Sequence, residues 1–577
     1  MLLFWSCCKK VFILKLIYMF KGHPKGLYVA FFSNMGERFG YYTMIAIFVM
    51  FLQAKYGFDS SKALQIYGSF IACVYFLPLL GGLLADKFWG YGKTISLGLI
   101  IMFLGYLLLA IPTPIGSGLG MVIAALVVIS LGTGFFKGNM QALVGNMYDD
   151  PRYSSKRDMA FSIFYMGINV GAMFAPTAAE MVSNFVLKTF HYSYDSRIPA
   201  LAHSFLNGGM GDAQSYLSVA QQQDASVSMQ TLGSFSSDYL NALSKAYHYS
   251  FGVACISLIV SMLIFWTLRK YYKTADVTEK QKEKSEELKS QVVVLSKEET
   301  KQRLIALGLV FFVVIFFWMS FHQNGACMTL FARDYTTPTV SKFTNLWFDL
   351  FGLLPIFISV LSIYYLVRKK SETRIRLIAA ASAIVFAALA YLRFQSYGDV
   401  NPFTPQKFQH FNPFFIVALT SLVLALFSYM QKKGKEPSSP RKIAYGMLIA
   451  AVGFVVLAFG SVGLPSPHEL NGQVAPDNSL VSPYWLIGTY FTLTIAELFL
   501  SPIGISFVSK VAPPQYKGLM QGGWFAATAI GNYLVGVVGG LWKSLDLWVF
   551  WTILVVCCLL SASFIFSIIK RLEKVAK

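Results

Sequence analysis

Three features of the sequence predict an all-α protein that crosses a membrane many times. Of 577 residues, 55% are hydrophobic and only 13% are charged, and the mean hydropathy is +0.55. Soluble domains carry about a quarter charged residues. Apolar stretches of about 20 residues recur along the chain, the length needed to cross a hydrocarbon core of roughly 30 Å. In the order of these stretches, Lys and Arg accumulate in alternate connections, as they do on the cytoplasmic side of membrane proteins.

Fourteen helical spans follow, because only a helix or a closed barrel satisfies its backbone within lipid. The first six are 27–52, 63–85, 92–112, 118–146, 159–182 and 249–269. The other eight are 303–332, 345–367, 374–393, 411–430, 442–464, 483–508, 518–541 and 546–569. With both termini cytoplasmic, 36 of the 48 Lys and Arg residues fall on the cytoplasmic side and 10 on the opposite side. Arg38 and Lys137 remain inside spans.

That distribution removes the nucleic-acid reading that a net charge of +20 would otherwise invite. The seven cysteines have neither CxxC nor Cys/His metal spacing, and five lie in apolar segments, so they are read as small buried hydrophobes rather than a disulfide framework. No P-loop, zinc-ligand cluster or hydrolase nucleophile motif stands in the chain. An enzyme is not expected.

The chain divides at its connections. Residues 1–26 form an N-terminal extension, read either as an interfacial basic helix or as an early start with Met19 the true first residue. Residues 27–269 hold six spans and a Ser/Gln-rich outer loop, 183–248. A charged cytoplasmic linker containing TEKQKEKSEELK covers 270–302 and is read as solvated. Residues 303–569 hold eight spans, of which the pair 345–393, joined by the basic turn VRKKSETRIR, is an insertion. Residues 570–577 form a cytoplasmic tail. Without the inserted pair, six spans precede the linker and six follow it. This is the layout of the major facilitator fold, in which the substrate site lies between the halves near the bilayer midplane.

Few ionisable residues sit deep in spans: Glu37, Arg38, Lys137, His322 and Glu497. A charge at the bilayer centre costs roughly 2.5–3.5 kcal/mol on insertion scales, so such residues face a cavity or one another. Structural ion pairs are the plainer alternative. Asp86, Glu180, Arg333 and Asp349 fall near span ends and are read as interfacial. The glycine-rich run GVVGG at 536–540 is read as a close helix-packing surface.

Several stretches carry a family likeness. NMGERFGYYTM at 34–44 resembles the ExxERFxYY signature of the proton-dependent oligopeptide transporter family. GGLLADKFWGYGKTI at 81–95, GTGFFKGNMQALVGNMYDD at 132–150 and FSIFYMGINVGAMFAP at 161–176 are similar to its N-terminal signatures. EPSSPRK at 436–442, IAELFLSPIGISFVSKVAP at 495–513 and GLMQGGWFAATAIGNYLVG at 518–536 are similar to its C-terminal ones. The likeness runs from about Met19 to the C-terminus, outside 183–248, the linker and 345–393. It identifies the chain as a divergent, bacterial-type member.

The resemblance implies proton-coupled uptake of di- and tripeptides by alternating access. The proton is the coupling ion, and no other cofactor is implied. The lipid bilayer is the surrounding partner, and a monomer in the inner membrane of a bacterium is expected by analogy. By the same resemblance Glu37 and Arg38 match the Glu-Arg of the signature, Lys137 the helix 4 lysine, and Glu497 the helix 10 glutamate that faces a peptide's amino group. Tyr42, Tyr75 and Asn169 match polar pocket residues, and Trp524 lines the C-terminal wall.

Three positions depart from the pattern. Asn34 stands for the first glutamate, Ile45 for an arginine after the tyrosines, and His322 for an acidic residue on helix 7. In the family that arginine contacts the substrate carboxylate or pairs with the acid, so losing both avoids an uncompensated buried charge and points to a rewired outer gate. His322 is either a titrating group or a neutral hydrogen-bonding member of the cavity wall. Gly138 replaces a usual proline. The alternatives are a transporter of the same fold with altered substrate or coupling, and a non-transporting receptor or scaffold.

Overall fold

The computed structural model describes residues 22–209, 213–277, 295–368, 372–470, 473–513 and 516–576. The segment 1–21, with Cys7, Cys8 and Met19, lies outside them, as do the run 278–289 of the linker and residues 369–371 of the basic turn. The side chain of Asp86 is also outside the description.

Helices make up almost the whole fold. The first half contains α1 (Gly26–Tyr56), α2 (Ser60–Phe76), α3 (Pro78–Leu84), α4 (Tyr91–Ala110), α5 (Leu119–Asn146), α6 (Arg157–Thr189), α7 (Ile198–Leu206), α8 (Ala213–Gln221) and α9 (Leu232–Thr267). The second contains α10 (Lys297–Phe321), α11 (Cys327–Asp334), α12 (Lys342–Phe348), α13 (Leu350–Val367) and α14 (Thr373–Gln395). It continues with α15 (Phe411–Lys432), α16 (Ser439–Gly460), α17 (Tyr484–Val511), α18 (Lys517–Gly539) and α19 (Leu547–Ala576). Among the described residues, thirteen stretches are long and apolar enough to cross a membrane. α1, with Glu37, Arg38 and Lys55, is not among them, although its 31 residues extend roughly 46 Å at 1.5 Å per residue.

Local chemistry starts and stops these helices. α1 ends at Gly57, whose φ of 63° allows its N–H to reach the Gln53 carbonyl. Asp59 then caps α2 by accepting from the Lys62 N–H at 2.9 Å. Ser296 caps α10 by accepting from the Glu299 N–H, and Glu298 and Glu299 in its first turn complement the helix dipole.

α1 packs against α6 and α9, and α4 against α5 and α9; in the second half α16 packs against α17 and α19. The halves meet where α2 lies along α18 and α6 lies along α15. Lipid supplies no hydrophobic drive between helices, so close backbone approach does the work. At the α2–α18 crossing a Cβ added to Gly68 would lie 2.6 Å from the Gly536 nitrogen. The glycine-rich run at 536–540 is therefore part of the contact between halves. α13 and α14 pack on each other and are the least buried spans, at 28% and 22%. A short ribbon of β1 (Thr339–Val340) and β2 (Asn401–Pro402), antiparallel with Thr339 opposite Pro402, closes the base of this insertion.

Several boundaries differ from the sequence reading. The connection read as 183–248 is shorter: α6 runs to Thr189 and α9 starts at Leu232, so 190–231 remains, and it holds α7 and α8. Its serines misled the reading, because they serve helices. Ser236 donates back to the Leu232 carbonyl at 2.7 Å, and Ser183 donates back to the Ala179 carbonyl of α6 at 2.9 Å. The span read as 303–332 breaks at His322–Gly325, a 3-10 turn between α10 and α11. The span read as 63–85 is divided by Pro78 into α2 and α3. Asp349 is not a loose interfacial group. It caps α13 and accepts from Arg393 (2.5 Å) and the Tyr397 hydroxyl (2.8 Å).

The bundle has two ends. The loop end carries 190–231, and the linker end carries the residues flanking 278–294.

A candidate functional site between the halves

In α1, Glu37 and Arg38 form a buried pair, 1% and 3% exposed. Arg38 Nε donates to Glu37 Oε2, and Nη2 donates to Oε1 at 2.5 Å. The guanidinium also lies 4.8 Å over the Tyr41 ring, a cation–π contact. Tyr42 packs edge-on to Tyr41 at 5.2 Å. One turn before the pair, Asn34 is 4% exposed and its Nδ2 has no partner among the described residues. Ile45 is buried and brings no charge.

The Lys137 ammonium of α5 sits 3.4 Å over the Tyr75 ring of α2 and 5.8 Å from the Phe525 ring of α18. Among the described residues no carboxylate lies within ion-pair distance of it. From the second half, Glu497 of α17 is 6% exposed. It accepts from Asn412 Nδ2 of α15 at 2.9 Å and from the Tyr165 hydroxyl of α6 at 3.1 Å. Asn412 also donates to Thr494 at 3.1 Å. Among the described residues Glu497 has neutral donors and no cationic partner. An ammonium and a carboxylate without mutual neutralisation thus face the interface from opposite halves.

His322 stacks on Trp318, with centroids 4.9 Å apart and planes at 19°, and lies 5.9 Å from Tyr75. Its Nδ1 is 2.5 Å from Asn532 Oδ1 of α18. Asn169 donates to the Tyr165 carbonyl of its own helix at 3.0 Å. Trp524 is 4% exposed and wedged against Gly504 of α17; the α18 ring nearest Lys137 is Phe525.

Sequence reasoning missed Tyr165, Asn412, Phe525 and Asn532. Three of them lie inside motifs already singled out, FSIFYMGIN and WFAATAIGNYLVG. Asn412 carried only the weak signal of an amide opening an apolar span. Of the two residues read as interfacial, Glu180 is buried and Arg333 is partly buried. Glu180 is 7% exposed and pairs with Lys407 at 3.0 Å. Arg333 pairs with Asp334 at 2.6 Å and donates to Gln53 of α1 at 2.5 Å. At the loop end, α1, α9, residues 194–207, Arg333 and Lys543 surround a cavity of about 230 Å³.

Comparison with known proteins agrees with this architecture. The POT family (PTR2) model matches residues 92–286 and 380–548. An uncharacterized transporter, YclF, of Bacillus subtilis is 27% identical over 533 residues, covering 91% of this chain and 89% of its own length. The peptide transporter YePEPT of Yersinia enterocolitica is 27% identical over 543 residues, 90% of this chain and 88% of its own. Dipeptide and tripeptide permease A of Erwinia pyrifoliae is 25% identical over 535 residues, 90% and 86%. Among solved structures, a POT family transporter in complex with 5-aminolevulinic acid superposes with a TM-score of 0.65 at 19% identity, covering 97% of this chain and 98% of its own. The peptide transporter POT in complex with sulfate gives 0.64 at 22% identity, with 96% of both chains covered. The chain belongs to the proton-dependent oligopeptide transporter (POT) family, with the major facilitator fold and two additional helices.

Proposed function

We propose that the protein takes up di- and tripeptides together with protons, by alternating access, across the cytoplasmic membrane of a bacterium. Both termini and the linker end face the cytoplasm, as the Lys/Arg bias supports, and the bacterial relatives support that membrane. One observation carries the reading: Lys137 and Glu497 meet the interface from opposite halves, each without an ionic partner among the described residues. A zwitterion offers each its missing counter-charge. Glu497 takes the α-ammonium, displacing or joining Tyr165 and Asn412. Lys137, with Arg38 nearby on α1, takes the carboxylate. Tyr42, Tyr75, Asn169, His322 and Trp524 shape the walls. Glu37 links the proton to rearrangement through its buried pair with Arg38. A single chain is the transport unit.

Titration of purified protein with dialanine, N-acetyl-dialanine and dialanine amide tests this. The zwitterion binds at least tenfold more tightly than either capped form. Equal affinities for all three overturn it. His322, bonded to Asn532 within its own half, favours a second reading: the same fold with a different substrate or coupling. In that case dialanine does not bind at all, while the folded protein still binds a substrate of other chemistry, 5-aminolevulinic acid being the first to try since a POT structure holds it.

A further inference from the structure

Closing the loop end of this transporter needs contacts between the halves, and the charges that serve there in the family pattern are absent. Ile45 is apolar and buried, and His322 is engaged by Asn532 of its own half. Other polar links cross the halves at this end. Arg333 reaches Gln53 but is neutralised by Asp334 of its own half. Lys543 lies 3.6 Å from Asp59, with side chains 36% and 50% exposed, where solvent weakens the pair.

Glu180 of α6 is different. Both of its oxygens are engaged from the opposite half. Oε1 accepts from the Thr404 hydroxyl at 2.9 Å, and Oε2 pairs with Lys407 Nζ at 3.0 Å. The Glu180 and Lys407 side chains are 9% and 14% exposed, and Thr404 is 5% exposed. Thr404 immediately precedes, and Lys407 belongs to, the 3-10 turn Pro405–His410, which continues into α15. Gln409 of the same turn donates to the Ala46 carbonyl of α1 at 3.4 Å. Two residues beyond the turn, Asn412 donates to Glu497.

We propose that Glu180 is the carboxylate that latches the loop end: held by Thr404 and Lys407, it closes the halves and fixes the turn that sets Asn412 against Glu497. The proposal rests on the alternating-access reading above. Among the described residues both polar partners of the carboxylate lie across the interface, so the latch exists only while the halves are together. Separating them returns both ions to water, and the two arrangements are discrete. The latch and the substrate-facing amide share one short rigid element, so opening the loop end withdraws Asn412 from Glu497. Glu180 acts through Asn412 and is a positioning residue.

The test places a reporter thiol at Ala46, which is 1% exposed beneath the turn. Ala46→Cys is reacted with a membrane-impermeant thiol reagent supplied from the loop side, against the parent protein as background. Glu180→Gln and Lys407→Gln each raise the labelling rate at least threefold. The exchanged pair Glu180→Lys/Lys407→Glu brings it back to within twofold of the parent. Labelling unchanged in the single variants overturns the latch, and so does labelling raised equally in the exchanged pair, which would mark local packing damage. Dialanine uptake measured on the same samples separates the two readings. If labelling follows the charges while dialanine does not move, the latch stands and the peptide assignment fails. If uptake persists while labelling ignores the charges, the latch fails alone.

Discussion

Replacing Glu37 by Gln tests what the buried Glu37–Arg38 pair does for the fold, separately from transport. Gln keeps the size of Glu and removes its charge. The Arg38 guanidinium, 3% exposed, loses both carboxylate contacts. It keeps the Tyr41 ring at 4.8 Å, worth about 0.5–2 kcal/mol, and one neutral bond to the new amide oxygen, but no counter-charge. Breaking a buried ion pair on one side costs about 3–5 kcal/mol, whereas replacing both members by neutral groups of similar volume is near neutral. Glu37→Gln therefore lowers unfolding stability by about 3 kcal/mol once the ring contact is allowed for. The double variant Glu37→Gln/Arg38→Met recovers most of this, leaving a deficit of about 1 kcal/mol. Denaturant titration in mixed micelles, followed by tryptophan fluorescence, reads both, and neither variant transports. A single variant that loses less than about 1 kcal/mol refutes the reasoning, because the guanidinium would then not be dependent on this partner. A double variant as damaged as the single one refutes it equally.

Three further outcomes are expected. Gly68→Ala forces α2 away from α18, since its Cβ meets the Gly536 nitrogen at 2.6 Å; uptake falls at least fivefold, while Gly82→Ala, with nothing within 4 Å, leaves uptake intact. Asn412→Ala removes one of the two donors to Glu497 and weakens dialanine binding about tenfold, equivalent to about 1.4 kcal/mol, as titration calorimetry would show; unchanged affinity contradicts the placement of Asn412 at the site. His203, in α7 outside the spans, has its pKa lowered by burial, which outweighs its bond to the Ala54 carbonyl. The docked loop thus binds the His203 proton less readily than the free loop does. Docking is at full strength above the free-histidine value of about 6.5 and weakens as the pH falls below it. Hydrogen exchange at 198–206 accelerates between pH 7.5 and 5.5, after correction for intrinsic rates, and His203→Gln abolishes the difference; an equal acceleration in both proteins assigns the effect elsewhere.

The spans were legible because a bilayer imposes length and apolarity on each crossing. α4, α5 and α14 start within two residues of the positions read from composition. Lys137 and Glu497 were legible for the related reason that a charge in lipid demands a purpose. What stayed hidden depends on distant neighbours. Ser234 and Ser236 read as loop, yet they bond back to the carbonyls of Thr231 and Leu232 at the start of α9. The break after Phe321 is marked by little beyond HQNG, and it fits because the Tyr67 hydroxyl fills the space a side chain at Gly325 would need. Thr404 and Glu180 lie 224 residues apart, and nothing local to either announces the other. Burial of Glu180 looked like an interfacial position because its helix extends to Thr189, further than its apolar stretch.

The most direct test is uptake of labelled dialanine into proteoliposomes, with an inward proton gradient and with the gradient collapsed. Wild-type protein, Lys137→Ala and Glu497→Gln are compared. The account predicts accumulation only with the gradient, and its loss in both variants. Accumulation that persists in either variant, or that ignores the gradient, contradicts it.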